Sequence, residues 1–288
     1  MTTDLKTKAT SRTITRKLPG MPTEDGAGVK LTRMVGTPEL SHVDPFLMLD
    51  VIRSDDPTGY LAGFPEHPHR GFETISYMIQ GSMKHRDNHG GEGLISDGGV
   101  QWMKAARGVV HSEMPAQSDG ALFGFQLWLN LPAAEKMDKP WYRDIPAAEI
   151  VDLALEDGAH AKLIAGSWNG KTGPGPQRTT APFFADVSVP AYGHADIPVP
   201  EGHAGFVFVF EGAASFGPDG EGQTVRDGEI AILGEGGALH VTGLAKPARF
   251  LIVAGKPLRE PIAKYGPFVM NTPEEIQTAI SDFRAGTF

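Results

Sequence analysis

The stretch from Gly63 to Pro115 constrains this chain most. It holds two pairs of donor side chains, each two residues apart: His67 with His69, and His111 with Glu113. Alternate residues of a strand face the same side, so each pair can aim two donor atoms in one direction. Gly81-Ser82, Asn88-His89-Gly90-Gly91, Asp97-Gly98-Gly99 and Gly108 fall where a chain doubling back needs turns. Two strands of a small antiparallel barrel would then point four donors at one place. Imidazole nitrogens with one carboxylate suit iron, copper, nickel, manganese or zinc. The bland alternative is chance, because ten histidines in 288 residues will sometimes fall two apart. The second spaced pair and the turn punctuation favour a metal site over that alternative.

At these residues the chain resembles a known family. His67-x-His69-x3-Glu73 followed by Gly81 resembles the first motif of the cupin barrels. Gly108-Val109-Val110-His111 resembles the second. More narrowly, FPEHPHRGFET, VQWMKAARGVVHSEMP and GPFVMNT are similar to the pirin family, and the likeness covers most of the chain. The resemblance implies an all-β bicupin, with His67, His69, His111 and Glu113 as ligands and iron(II) as the metal. Manganese, nickel, copper and zinc remain open on the donor set alone. One departure is Lys104-Ala105-Ala106-Arg107-Gly108, where pirins usually carry Thr-Ala-Gly-x-Gly. It leaves the ligands intact.

Several neighbours compete for a role. Glu73 shares parity with His67 and His69, and many cupins use this glutamate as a ligand. The pirin resemblance favours Glu113, with Glu73 a neighbour of the ligands or a structural residue. A bulge near Gly71 would rotate Glu73 off the face. His85 is a candidate neighbour if its register holds, and His89 reads as solvent-exposed. Lys104 and Arg107 read as solvated loop charges rather than anchors for an anionic substrate. Asp44 and Asp50, bounding an apolar run, read as strand-end and turn residues.

Composition narrows the function classes. The net charge is −9, a poor match for nucleic acid or an anionic membrane. There is no cysteine, so any metal must use N and O donors. No apolar run is long enough for a membrane helix, and the basic N-terminus lacks the apolar core of a secretory signal. A disordered leader of about ten residues and a cytoplasmic location are expected. Gly 36 and Pro 23 favour turn-rich β architecture over helix bundles.

Along the chain, residues 12–18 read as an opening strand and 72–80 as a strong one. The boundaries expected are 1–135 for a metal-binding barrel, 136–150 for a linker, and 151–288 for a second barrel. The second barrel includes a C-terminal helix opened by Thr272-Pro273-Glu274-Glu275. Residues 166–182 form a Gly/Pro-rich loop long enough to cover a cavity. The second half is a worn repeat of the first. Aligning Gly212 with Gly81 sets Pro198 and Pro200 against His67 and His69, Thr242 against Glu113, and His240 against His111. The second barrel therefore keeps one of four ligands. His240 reads as a structural relic, and His194 and His203 as surface residues.

A metal held by three histidines and a glutamate leaves open coordination positions for a chelating substrate and dioxygen. The resemblance implies a quercetin 2,3-dioxygenase type activity, in which a flavonol is cleaved with dioxygen and carbon monoxide is released. Glu113 would be both ligand and acceptor of the substrate hydroxyl proton. The alternative is a non-enzymatic, iron-responsive regulatory protein acting through a protein partner, as eukaryotic pirins resemble transcription cofactors.

Overall fold

The structure is a computed structural model that describes residues 10–218 and 220–288. The expected leader falls largely on residues 1–9, outside the described residues. The chain groups into two compact units. One takes the described residues up to Pro19, with Asp152–Thr172 and Pro182–Lys256. The other takes Gly20–Val151, Gly173–Ala181 and Pro257–Phe288.

The strands are β1 (Ile14–Pro19), β2 (Met21–Asp25), β3 (Val29–Val35), β4 (Phe46–Ser54), β5 (Phe64–His69), β6 (Phe72–Gln80), β7 (Met83–Asp87) and β8 (Glu92–Ile95). They continue as β9 (Val100–Lys104), β10 (Val109–Pro115), β11 (Leu122–Asn130) and β12 (Trp141–Ile145). In the unit carrying the candidate ligands, a seven-stranded sheet runs β12-β9-β6-β11-β4-β3-β2. A four-stranded sheet runs β5-β10-β7-β8. The two sheets face each other, because Glu113 of β10 bonds Ser76 of β6 and Gln126 of β11. Strand β11 is central because Phe123, Phe125, Leu127 and Leu129 alternate with Gly124, Gln126 and Trp128, giving each face its own partner layer.

The other unit repeats this plan. Its strands are β13 (Val151–Ala154), β14 (His160–Ala165), a small hairpin of β15 (Ser167–Trp168) and β16 (Lys171–Thr172), β17 (Phe183–Val189) and β18 (His194–Pro198). Then follow β19 (Ala204–Glu211), β20 (Ala213–Phe216), β21 (Gln223–Arg226), β22 (Glu229–Leu233), β23 (Ala238–Gly243) and β24 (Ala248–Gly255). The sheets run β1-β22-β19-β24-β17-β14-β13 and β18-β23-β20-β21. Strand for strand this is the order of the first unit, so the bicupin reading describes both.

Both boundaries differ from the sequence expectation, for reasons of pairing. Strand β1 pairs antiparallel with β22, so the first strand belongs to the second barrel. The expected linker 136–150 contains β12, which pairs residue by residue with β9 and closes the first barrel's sheet. Lys136 at its start is buried. The tail also returns to the first barrel: a hairpin of β25 (Ala263–Tyr265) and β26 (Phe268–Met270) packs under α1 (Pro273–Ala285). The helix has its expected capping box. Thr272 Oγ1 accepts from the Glu275 amide, the Glu275 carboxylate accepts from the Thr272 amide, and Gly286 closes it in the left-handed region.

One corner decides where the candidate ligands point. Strand β5 ends at His69 and β6 begins at Phe72, with Gly71 at φ +93° between them. A Cβ on Gly71 would lie 1.9 Å from the Val269 carbonyl oxygen, so only glycine fits. Lys136 Nζ staples this corner, donating to the carbonyls of Gly71 at 2.7 Å and Val269 at 3.0 Å and to Asn130 Oδ1 at 2.6 Å. Burial lowers its pKa to about 8.

Candidate metal centre

The β5–β10 ladder sets His111 opposite His67 and Val109 opposite His69. That register brings the His67, His69 and His111 rings together, with centroids 4.4 to 4.8 Å apart. One ring nitrogen from each lies within 4.8 Å of the others, a group that could hold a metal ion. His67 Nδ1 donates to the Pro65 carbonyl at 2.8 Å, which leaves Nε2 with its lone pair. Nε2 of His67 and Nε2 of His69 stand 3.0 Å apart. His111 Nε2 is buried and has no hydrogen-bond partner. A buried orphan nitrogen beside two converging ones is a costly arrangement for an empty core and a natural one for a metal. Burial pushes His69 and His111 well below the usual imidazole range, and the neighbouring imidazoles push the same way. Both are therefore neutral donors at physiological pH, as ligation requires.

Glu113 follows on β10, and the ladder to β5 shifts register between His111 and Glu113. Its buried carboxylate stands beside the imidazole group rather than within it. Oε2 accepts from Gln126 Nε2 at 2.6 Å and Oε1 accepts from Ser76 Oγ at 3.1 Å. Gln126 Oε1 in turn accepts from Trp128 Nε1 at 3.3 Å. Trp128 stacks on Phe72 and meets His69 edge-on at 5.3 Å. Neither Ser76 nor Gln126 stood out in the sequence. Their shared strand face with the ligand side was the available signal.

The other sequence candidates fall as follows. Glu73 lies beyond the Gly71 corner, on the face of β6 opposite to Ser76. Its carboxylate accepts from Trp102 Nε1 at 2.8 Å and pairs with Arg178 at 2.8 Å. Burial raises its pKa, opposed by Arg178 and Trp102. The corner thus rotates Glu73 away, as a break near Gly71 would. Lys104 is corrected: it is a buried residue of β9, paired with Asp138 at 2.7 Å. Arg107 is exposed, as expected. Asp50 is also corrected. It sits inside β4, buried and bidentate on Arg33, whereas Asp44 does cap, accepting from the amides of Leu258 and Arg259. His85 is buried against His111, with their Nδ1 atoms 3.3 Å apart. His89 is exposed.

A cavity of about 590 Å³ opens onto the imidazoles. Leu31, Met48, Ile52, Phe64 and Trp128 give it apolar walls, and His67, His69 and Gln126 form its polar end. Arg33, Asp50 and Lys264 also line it, with Lys264 Nζ 5.1 Å above the Trp128 ring. Burial, then the charge of Arg33, lowers the Lys264 pKa. The loop 166–182, expected over a cavity, does not line this one. The segments 25–27 and 264–267 do.

Paired antiparallel sheets in two repeated barrels, with a three-histidine group open to a cavity in one of them, define a bicupin equipped to bind a metal. Residues 28–129 match the Pirin family model, and residues 184–288 match the Pirin C-terminal cupin domain. The chain belongs to the pirin family. It is 46% identical to a Pseudomonas aeruginosa protein provisionally named a quercetin 2,3-dioxygenase, over 93% of this chain and 94% of that one. It is 39% identical to Homo sapiens pirin, over 95% and 93%. A crystal structure of quercetin 2,3-dioxygenase from Acinetobacter baumannii superposes with a TM-score of 0.88 at 34% identity, covering 96% of this chain and 98% of that one.

Proposed function

We propose that this protein is a metal-dependent dioxygenase of the quercetin 2,3-dioxygenase type, which cleaves a flavonol with dioxygen and releases carbon monoxide. The observation that carries the reading is the cavity. It is large enough for a flat aromatic ligand, apolar along its walls, and ends on His67 and His69. Similarity to the Acinetobacter baumannii enzyme supports the same reading. His67, His69 and His111 would hold the metal, and Glu113, whose oxygens bond Gln126 and Ser76 beside them, would complete the donor set by turning one oxygen toward the ion. Iron(II) is the ion we assign, from a donor set that manganese, nickel, copper and zinc also accept. When bound, the metal supplies Lewis acidity toward the substrate oxygens and the redox access to dioxygen that closed-shell side chains lack.

The protein's own groups do the rest. Trp128, Phe64 and Ile52 sandwich the ring system and exclude water from it. Glu113 accepts the proton of the substrate hydroxyl, and Gln126 and Ser76 hold its oxygens ready for that transfer. Lys264, over the Trp128 face, donates to a phenolate or carbonyl oxygen remote from the metal. The test is anaerobic metal analysis followed by addition of quercetin with and without dioxygen. About one iron per chain, with oxygen-dependent loss of flavonol absorbance and carbon monoxide release, is the expected result. Metal-replete protein that cleaves no flavonol in a panel would end this reading.

A further inference from the structure

We propose that His85 and Asp87 are positioning residues that fix which nitrogen of His111 faces the metal, an inference that rests on the metal reading of the imidazole group. His85 and His111 are each 1% exposed. His85 Nε2 lies 3.2 Å from Asp87 Oδ2, and His85 Nδ1 lies 3.3 Å from His111 Nδ1. A carboxylate only accepts, so the Asp87 contact puts the proton of a neutral His85 on Nε2. His85 Nδ1 then carries a lone pair and must accept from His111 Nδ1–H. That leaves the lone pair of His111 on Nε2, the buried nitrogen with no partner in the protein. Each link follows from the one before. The chain ends at the atom that points to the ligand group.

The surroundings are shaped for this relay. Asp87 Oδ1 accepts from the amides of His89 and Gly91, both at 2.8 Å, so its other oxygen is free for His85. A Cβ on Gly91 would lie 2.1 Å from Asp87 Oδ2, so glycine there makes room for the carboxylate. The His85 ring stacks on Tyr142, with centroids 4.6 Å apart and planes 17° apart, which holds its orientation. A Cβ on Gly93 would strike the Tyr142 hydroxyl at 1.7 Å, so a second glycine makes room for that ring. The ladders locate the counterparts in the other barrel. Glu113 faces His85 across β10 and β7, whereas Thr242 faces Ser215 across β23 and β20. His111 faces Asp87, whereas the backbone opposite His240 is Gly217, whose amide donates to the His240 carbonyl. The barrel without the imidazole group lacks both members of the relay.

A hydrogen-bonded neighbour that orients a ligating imidazole is typically worth about 10–100-fold in metal affinity. Asp87→Asn is the decisive variant. Its amide NH2 can donate to His85 Nε2, which moves the His85 proton to Nδ1 and the His111 proton to Nε2. The experiment uses full-length protein with zinc(II) alone, in competition with a chromophoric chelator. Long-range proton–nitrogen spectra of the histidine rings in metal-free protein run alongside. The relay predicts that Asp87→Asn loses about 10–100-fold in zinc affinity, with the metal-free His111 spectrum switched from the Nδ1–H to the Nε2–H form. His85→Gln, which restores an acceptor through its side-chain oxygen, should recover much of what His85→Leu loses. Wild-type affinity and an unchanged His111 tautomer in Asp87→Asn would overturn the relay. Failure of the wild-type protein to bind zinc would instead overturn the metal reading, a distinct result.

Discussion

The two barrels share one strand order and differ at one corner. In the first, β5 passes to β6 through Arg70 and Gly71 alone. In the second, β18 passes to β19 through the longer segment 199–203. The sequence alignment through Gly81 and Gly212 assumed equal connections, and so set Pro198 and Pro200 against His67 and His69. The ladders correct it. His111 faces His67, and His240 faces Asp196, so the structural counterparts are Asp196 for His67 and Pro198 for His69. In the second barrel His240 Nδ1 bonds Asp196 Oδ1 at 2.6 Å, a closed pair where the first barrel leaves an orphan nitrogen. The same scaffold thus carries a three-histidine group that could hold a metal in one copy and a closed polar pair in the other.

Substitutions in the two barrels should have unequal effects. The largest effect should come from His111→Ala, which removes a buried donor and should abolish stoichiometric metal binding. His240→Ala should leave the metal content of purified protein unchanged. Metal analysis of the two variants decides it. Next, Glu113→Gln keeps the shape but turns one of two acceptor oxygens into a donor and loses basicity. A fall in kcat of about 10²–10⁴-fold on a flavonol is expected, with KM little moved.

The tight corner gives a third test. Lys136→Met strands three buried acceptors, and unpaired buried groups cost about 1–3 kcal/mol each before relaxation. A loss of roughly 3 kcal/mol in denaturant unfolding is expected. Acidification gives a fourth. His69 and His111 have folded-state pKa values below the unfolded value of about 6.5, so well above that pH both states are neutral and their contribution to stability is level. As pH falls below that, the unfolded chain takes up protons that the fold refuses, and metal-free protein should lose stability progressively. A flat Tm from pH 7 to 5 would contradict the buried neutral pair. The smallest effect should be a gain. Asp196→His with Pro198→His places one imidazole opposite His240 and a second opposite Ala238, the register of His67 and His69, and should add weak binding of a second zinc, read by calorimetry. No second equivalent at millimolar zinc would show that the orientation of these rings, beyond their register, separates the barrels.

Much of this was legible in residue types. Spacing and turn punctuation put His67, His69 and His111 on two strands of one barrel, because a strand has period two and Gly and Pro mark its ends. The capping box of α1 was legible for the same reason, being local chemistry. The membership of β1, β12 and α1 was not, because each pairs with residues distant in the chain and nothing local records the partner. The rotation of Glu73 hinged on one glycine at positive φ, where the Val269 carbonyl leaves no room for a Cβ. Lys104 read as a solvated loop charge and Asp50 as a strand-end residue because their partners, Asp138 in the segment before β12 and Arg33 on β3, lie elsewhere in the chain. Residue types and spacing were enough for the family, the all-β class and the grouping of His67, His69 and His111. Long-range packing settled which carboxylate stands beside the three imidazoles, which histidine stands behind His111, and where the cavity opens. Those depend on register between strands, which is set by packing over the whole barrel rather than by neighbours in the chain.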